Sequence, residues 1–226
     1  MRLEENYYAV SEGIRKAAEK AGRDPSLVRL VAVSKKQDPE KLRALWNCGQ
    51  RIFGENRVQE ARVKIPEMPS GGEWHFIGGL QTNKAKEAVE WFDVIESVDR
   101  LELAAELQKR AEASGKRLRV YLEVNVGGEA AKHGCAPEKA AELLAQVRPF
   151  SRLEVQGLMA IPPFREEPEN ARPFFRKLRE IRDRLEQESG VALPELSMGM
   201  SHDYGVAISE GATLVRIGTA LFGPRA

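Results

Sequence analysis

Short apolar segments alternate with amphipathic segments eight times along this chain, and this alternation is what most restricts its fold. Each apolar segment suits a strand buried on both faces, and each amphipathic segment has the spacing of a helix. Strands and helices in alternation predict a parallel sheet joined by right-handed crossovers. Eight such units favour a closed barrel over an open doubly wound sheet. We therefore predict an α/β fold, a single (β/α)8 TIM barrel over residues 1–226.

An extra amphipathic helix, predicted over residues 4–21, precedes the first strand and could cap one end of the barrel. The predicted strands cover residues 30–36, 52–53, 74–77, 94–97, 118–126, 153–161, 196–197 and 213–217.

The charge balance of the chain argues against nucleic acid or a membrane surface as a partner. There are 35 Lys and Arg against 34 Asp and Glu, and a net charge of +1 offers no general attraction for polyanions. No apolar stretch approaches the length of a membrane span, and the amino terminus lacks the hydrophobic stretch of a secretion signal. The three histidines and the cysteines Cys48 and Cys135 match no metal-ligand spacing. We expect a cytoplasmic protein with a small-molecule ligand and no metal.

A lysine leaves the first predicted strand at the edge where barrels bind ligands. Residues 30–36 (LVAVSKK) are too few for a buried helix and end in a hydroxyl and two ammonium groups. Ligands of α/β folds lie just beyond the carboxyl ends of the strands, so a lysine there is placed to meet one. The alternative is that both lysines only solvate the strand end. Period two does not choose between Lys35 and Lys36, because both faces of the strand are apolar.

Glycines and polar residues follow several other predicted strands on the same face. They include Gly54-Glu55-Asn56, residues 78–81, Met200-Ser201 and Gly218-Thr219. Glycine after a strand lets the backbone approach a ligand closely, and barrels often bind phosphate after strands seven and eight. The loops at Ser201 and Gly218 therefore predict a phosphate site. Alternatively, Gly218 is a turn residue and Thr219 a helix cap.

Arg216 lies on one face of the otherwise apolar eighth strand, because period two aligns it with Leu214 and Gly218. A guanidinium inside a barrel needs an acceptor, which either a ligand atom or a barrel carboxylate would supply. An internal salt bridge is thus the competing explanation for this residue.

A strand-end lysine, a phosphate corner and an interior arginine together suggest a phosphorylated aldehyde held as a Schiff base. Burial lowers the pKa of a lysine and frees the neutral amine that attacks a carbonyl. Pyridoxal phosphate fits this combination. A less favoured alternative is a phosphosugar-binding barrel in which Lys35 makes only an ion pair.

Seven segments occur in order along the chain: VSK (33–35), FGEN with VQE (53–60), WHFIG (74–78), LQTNK (80–84), GLMAIP (157–162), LSMGMS (196–201) and VRIGT (215–219). Together they resemble the YggS/PROSC family of pyridoxal-phosphate homeostasis proteins. The sequence departs from the family pattern at Gly79, where proline is common, and at His202, where an acidic residue is common. The resemblance implies a barrel similar to the N-terminal domain of alanine racemase that holds pyridoxal 5′-phosphate (PLP) as an internal aldimine.

The resemblance also implies which residues bind the cofactor. They are Lys35 (Schiff base), Asn56, His75, Met200, Ser201, Arg216, Gly218 and Thr219. Within this set, Ser201, Gly218 and Thr219 are implied to bind the phosphate. Arg216 is implied to approach the pyridine nitrogen and to keep it unprotonated, which weakens the ring as an electron sink.

The resemblance also implies roles for Asn56, His75 and Lys132, which lie outside the proposed phosphate site. Asn56 and His75 are implied to lie near the cofactor ring, although the apolar strand around His75 by itself indicates a core histidine with satisfied hydrogen bonds. Lys132 resembles a lysine that assists cofactor transfer, and the alternative for it is a solvated loop charge.

The expected function is PLP homeostasis by a non-catalytic PLP-binding protein that buffers, protects or delivers the aldehyde. Alanine racemase completes its site with a second domain and a partner subunit's tyrosine, whereas this chain ends soon after its eighth strand. The alternative is a PLP-dependent amino-acid racemase-like enzyme. The expected partners are PLP itself and, transiently, PLP-dependent apo-enzymes, and the resemblance favours a monomer.

Overall fold

The computed structural model describes residues 3–129 and 133–224, and its strands form a closed parallel barrel. Strands pair in chain order, and the eighth returns to pair with the first. The strands are Arg29–Val33 (β1), Ile52–Glu55 (β2), Glu73–Phe76 (β3), Val94–Val98 (β4), Leu118–Glu123 (β5), Leu153–Met159 (β6), Glu195–Ser197 (β7) and Leu214–Ile217 (β8). The helices are Leu3–Lys20 (α1), Pro39–Asn47 (α2), Val58–Lys64 (α3), Ala85–Trp91 (α4), Leu101–Ala113 (α5), Ala140–Val147 (α6), Arg172–Ser189 (α7), Tyr204–Ser209 (α8) and Thr219–Phe222 (α9). The predicted α/β barrel is confirmed.

The amino-terminal helix α1 takes a place in the outer ring of helices. It packs against α2, α8 and α9, with Val10, Ile14 and Ala18 buried. The helix that follows β8, α9, has only four residues, and α1 lies beside it. The structure therefore differs from the expectation that this helix caps one end of the barrel.

The strands separate two apolar regions. Outward-facing residues such as Ala32 and Phe53 pack against the helices in the main core. Residues at alternate positions point to the barrel interior, where a second, smaller layer forms. Its buried members are Val31, Val94, Tyr121, Met159 and Leu214. Burial on both faces explains why these strands are continuous apolar runs in the sequence.

The register of the barrel brings the ends of β1, β2, β3 and β8 together. Val33 pairs with Gly54, which in turn pairs with His75, and on the other side Ala32 pairs with Ile217. The loops that leave these strands therefore share one rim. Among the helices within residues 3–129 and 133–224, none has the length and apolarity that a membrane span requires.

Substitution of Gly157 tests how closely β6 packs against the three-residue strand β7. A Cβ built on Gly157 would lie 1.8 Å from the carbonyl oxygen of Glu195, so Gly157→Ala forces the two backbones apart. We expect the free energy of unfolding in urea to fall by about 3 kcal/mol or more. The control is Gly205→Ala in α8, where a Cβ meets nothing within 4 Å. That change should leave stability equal or raise it by up to about 1 kcal/mol, because alanine favours helix. Equal unfolding energies for the two variants would contradict this close packing of β6 and β7.

Candidate functional site

A cavity of about 370 Å³ opens at the carboxyl ends of the strands. Seven of the residues singled out from the sequence lie on its wall, namely Lys35, Asn56, Met200, Ser201, Arg216, Gly218 and Thr219. Other residues on the wall were not singled out, and they include Val33, Gln37, Ile77, Phe164 and Phe222. The structure thus brings most of the predicted site residues to one place, although they come from β1, β2, β7, β8 and the loops after them.

The loops after β7 and β8 form one side of the cavity. The hydroxyl of Ser201 accepts a hydrogen bond from the N–H of Ala220 at 3.2 Å, which ties the two loops together. The carboxylate of Asp203 accepts the N–H of Met200 at 2.7 Å and fixes the first loop. The helix α9 begins at Thr219, so the hydroxyls of Ser201 and Thr219 and the start of a short helix share this wall. This is where barrels commonly bind phosphate.

Another part of the wall is built where the loops after β2 and β3 cross. A Cβ on Gly78 would lie 2.8 Å from the carbonyl oxygen of Asn56, so only glycine lets these loops approach so closely. At the next residue, a Cβ on Gly79 would lie 2.3 Å from Nε2 of His133, and the glycine therefore leaves room for that ring. Lys132, the predicted transfer lysine, lies outside the described residues.

Arg216, on β8, reaches the cavity wall from the barrel interior, where hydrogen bonds fix its guanidinium. Its Nη2 donates to the carbonyl oxygen of Ala160 at 2.9 Å, and its Nη1 donates to the hydroxyl of Ser197 at 2.5 Å. A carboxylate oxygen of Glu96 lies 3.6 Å from the same Nη1. The internal salt bridge that competed with a ligand role is therefore present, and the guanidinium nevertheless borders the cavity.

His75 lies in the barrel interior and not on the cavity wall. It is fully buried inside the barrel and forms no part of the cavity wall. Its Nδ1 lies 2.5 Å from Glu96 and its Nε2 lies 2.6 Å from Glu73, so a ring that is protonated at both nitrogens satisfies both carboxylates. Glu96 also accepts the hydroxyl of Ser197 at 2.5 Å. His75 is therefore linked to the cavity wall through hydrogen bonds of Glu96, Ser197 and Arg216, and does not itself border the cavity.

These contacts form a line of paired polar groups through the barrel interior, which we call the axial chain. It runs through Glu73, His75, Glu96, Ser197 and Arg216. At its lower end Arg119 donates to Glu73 at 3.0 Å. Sequence reasoning found Arg216 because a charge interrupts an apolar strand, and the same signal was present at Glu96 within Val94–Val98.

The axial chain shifts the pKa of Glu73, His75 and Glu96. Burial alone would lower the pKa of His75, but hydrogen bonds to Glu73 and Glu96 outweigh burial and raise it. Burial would raise the pKa of Glu73, yet His75 and Arg119 lower it to about 2. In the same way, His75 and Arg216 hold the pKa of Glu96 below its usual range despite burial.

Glu123, at the end of β5, is a second buried carboxyl that the sequence analysis missed. Burial, together with the nearby charge of Asp99, raises its pKa to about 7. A carboxyl with a pKa near neutrality can exchange protons at physiological pH. Within residues 3–129 and 133–224, no group of three or more His, Cys, Asp or Glu side chains is arranged to hold a metal ion.

Comparison with known proteins finds one matching family model and relatives that match almost the whole chain. The family model for the alanine racemase N-terminal domain matches residues 6–226. A pyridoxal phosphate homeostasis protein of Aquifex aeolicus is 52% identical over 217 residues, which cover 96% of this chain and 95% of the relative.

Solved structures share the fold of this chain. PipY of Synechococcus elongatus PCC7942, solved with PLP bound, has a TM-score of 0.86 and 36% identity, and the match covers 98% of this chain and 100% of PipY. Alanine racemase of Clostridium difficile 630 has a TM-score of 0.75 but only 15% identity, and the match covers 98% of this chain and 57% of the racemase. The second likeness concerns the fold alone.

The two carboxylates in contact with His75 predict how its replacement changes stability. His75→Gln removes the cation that Glu73 and the fully buried Glu96 share, so we expect the free energy of unfolding of the ligand-free protein to fall by about 3–5 kcal/mol near pH 6. The contribution of His75 is complete below its unfolded pKa of about 6.5 and disappears as pH rises through its raised folded pKa. The contributions of the carboxylates are present above their unfolded pKa of about 4.3 and disappear as pH falls through their lowered folded values.

The destabilisation should therefore be greatest between about pH 4.3 and about pH 6.5 and shrink on both sides, which denaturant unfolding at a series of pH values would measure. His202→Gln, at an exposed histidine, is the control and should change stability by less than about 0.5 kcal/mol. A penalty for His75→Gln that does not vary with pH would show that the ring is not charged.

Proposed function

The chain belongs to the family of pyridoxal phosphate homeostasis proteins and carries the alanine racemase N-terminal domain, and on this basis we propose that it binds PLP in the cavity at the strand ends. The observation that carries the proposal is the wall of that cavity, where a lysine, an arginine and two hydroxyl side chains meet. A cavity of about 370 Å³ suits a ligand of this size.

The residues on the wall fit the chemical groups of PLP. The hydroxyls of Ser201 and Thr219, with the backbone at Gly218, are donors for a phosphate. Lys35 supplies an amine, and Asn56 and Met200 complete the wall. We assign Ser201, Gly218 and Thr219 to the phosphate because they share the loops after β7 and β8.

We propose that Lys35 holds the ligand as a Schiff base. PLP supplies an aldehyde whose carbon forms a double bond to the nitrogen of an amine, while the aldehyde oxygen leaves as water. Lys35 is half-buried at the cavity wall, whereas Lys36 is exposed. Lys35 therefore provides the amine, and Ser201 and Thr219 orient the ligand by its phosphate.

Arg216 supports a role in holding the ligand rather than transforming it. A guanidinium stays protonated and can only donate hydrogen bonds, so a pyridine nitrogen beside it would accept one and remain unprotonated. An unprotonated ring is a poor sink for electrons from an amino acid. The axial chain fixes Arg216 in this orientation from below. We therefore propose a non-catalytic protein that stores or delivers PLP.

The proposal extends to partners and location. A protein that holds a reactive aldehyde and releases it would transiently contact PLP-dependent apo-enzymes, and Lys132 would assist the transfer. We further propose that it acts as a monomer in the cytoplasm, where such enzymes are made.

One observation favours a second candidate function. Glu123 is a buried carboxyl at the end of β5 with a pKa of about 7, which suits a general base. A racemase-like enzyme would need such a group to remove the α-proton of an amino acid. Its side chain is not on the cavity wall, and we rank this function below PLP storage.

Borohydride reduction tests the assignment of Lys35. We expect a phosphopyridoxyl adduct on Lys35 after the protein is mixed with PLP, reduced and analysed by peptide mass spectrometry. Lys35→Ala should abolish the adduct, while Lys36→Ala should retain it. If the wild-type protein binds PLP and carries no adduct at Lys35, then the lysine makes only an ion pair and a phosphosugar-type ligand becomes the better proposal.

Exchange of the α-proton distinguishes storage from catalysis. We expect that the PLP-loaded protein, incubated with amino acids in deuterium oxide, incorporates no more deuterium at the α-carbon than free PLP does, since Arg216 leaves the ring unprotonated. The measurement is mass spectrometry of the recovered amino acids. Exchange well above free PLP that disappears in Glu123→Gln would establish the racemase-like alternative.

A further inference from the structure

The turn that carries Lys35 is held by a buried lysine on another element. Lys64, at the end of α3, is buried, and its Nζ donates to three oxygens: the carbonyl of Ser34 at 2.8 Å, Glu55 at 2.7 Å and Glu60 at 2.7 Å. An ammonium has three N–H donors, so Lys64 is fully satisfied by these acceptors. We call Ser34, Glu55, Glu60 and Lys64 the turn clamp.

The turn clamp contacts the backbone on both sides of Lys35. On the amino-terminal side, Lys64 binds the carbonyl of Ser34, whose hydroxyl also donates to Glu55 at 2.7 Å. On the carboxyl-terminal side, the N–H of Lys36 donates to Glu60 at 2.6 Å. Lys35 therefore lies between two backbone groups that Lys64 holds. Lys64 binds the carbonyl of Ser34 directly, and it binds the N–H of Lys36 through Glu60.

The conformation of Lys36 needs such support. Its φ is +59°, and among the described residues it alone, apart from glycines, has a positive φ. A residue with a Cβ is unfavourable in this left-handed region and stays there only when its surroundings demand it. The hydrogen bond from the N–H of Lys36 to Glu60 stabilises this conformation. The left-handed residue Lys36 therefore directly follows Lys35 in the turn.

A purely stabilising role would not require this arrangement. Burying an ammonium and a carboxylate is unfavourable unless each is paired, and an apolar side chain at position 64 would fill the same space without charge. Of the three acceptors of Lys64, Ser34 belongs to the turn, and Glu55 and Glu60 each bind a turn residue. The whole charged cluster is thus directed at the segment from Ser34 to Lys36.

We propose that Lys64 is the positioning residue for Lys35, and that the turn clamp sets the direction in which the Lys35 amine enters the cavity. This inference rests on the proposed Schiff base at Lys35 and deepens it. Without the ammonium, the carbonyl of Ser34 and the carboxylate of Glu60 lose their shared donor, Lys36 relaxes to negative φ, and Lys35 turns away from the cavity. Lys64 itself forms no Schiff base because all three of its protons are engaged.

The test compares two lysine variants of the full chain. Lys64→Met removes the ammonium from the turn clamp. Lys116→Met is the matched control, because Lys116 is a half-buried lysine at the amino end of β5 that donates to the carbonyls of Val89 and Phe92, away from the cavity. Each ligand-free protein is mixed with PLP, the Schiff-base absorbance is followed in time, and thermal unfolding is measured separately.

We expect the rate of Schiff-base formation in Lys64→Met to fall about 10- to 100-fold, because a displacement of about 1 Å in a reacting group has an effect of this size. Lys116→Met should keep the wild-type rate, although both variants lose stability. Adding Lys36→Gly to Lys64→Met should recover part of the rate, because glycine adopts positive φ without strain. A merely structural role for Lys64 would not be relieved by a glycine at position 36.

If Lys64→Met does not fold, Glu60→Ala at a partly exposed position removes the same bond to Lys36, should slow the reaction and should be rescued by Lys36→Gly. A wild-type rate in Lys64→Met or Glu60→Ala, or an equal loss in Lys116→Met, overturns the positioning role. Failure of the wild-type protein to form a Schiff base overturns the proposed function as well, so the two failures are distinguishable.

Discussion

A closed barrel of eight parallel strands has an interior that only side chains can fill, and this chain fills it with charge as well as hydrocarbon. Buried charges persist when each has a partner, and here the partners form a continuous line from Glu73 through His75 and Glu96 to Arg216. The upper end of that line is part of the cavity wall. The position of the guanidinium is therefore decided by pairing inside the scaffold, before any ligand arrives.

The alternation of apolar and amphipathic segments was enough to predict the barrel. The rule that ligands bind at strand ends was enough to predict several residues of the cavity wall. A charge within an apolar strand was enough to single out Arg216, and the same reasoning would have found Glu96. What the sequence could not supply is which charge pairs with which. Glu96 on β4 meets Arg216 on β8 only because the barrel closes, and closure is a property of all eight strands together.

The choice between Lys35 and Lys36 illustrates a second kind of limit. Val31 faces the barrel interior, and alternation carries that parity through Val33 to Lys35 at the wall. Both faces of the strand are apolar, so this parity is visible only in the structure. The support of the turn by Lys64, on a helix one unit further along the chain, has no local signature in sequence at all.

The amino-terminal helix packs against the last helix of the barrel. Asn6 in α1 donates a hydrogen bond to the carbonyl of Leu221 in α9 at 2.8 Å, across 215 positions of sequence. Contacts between such distant positions form late, because closing long loops is entropically unfavourable. During synthesis the turn at Lys35 emerges early, whereas the wall at Thr219 exists only once the eighth strand has left the ribosome and α1 has found it. A nascent chain thus carries Lys35 well before it has the part of the cavity wall that Thr219 supplies.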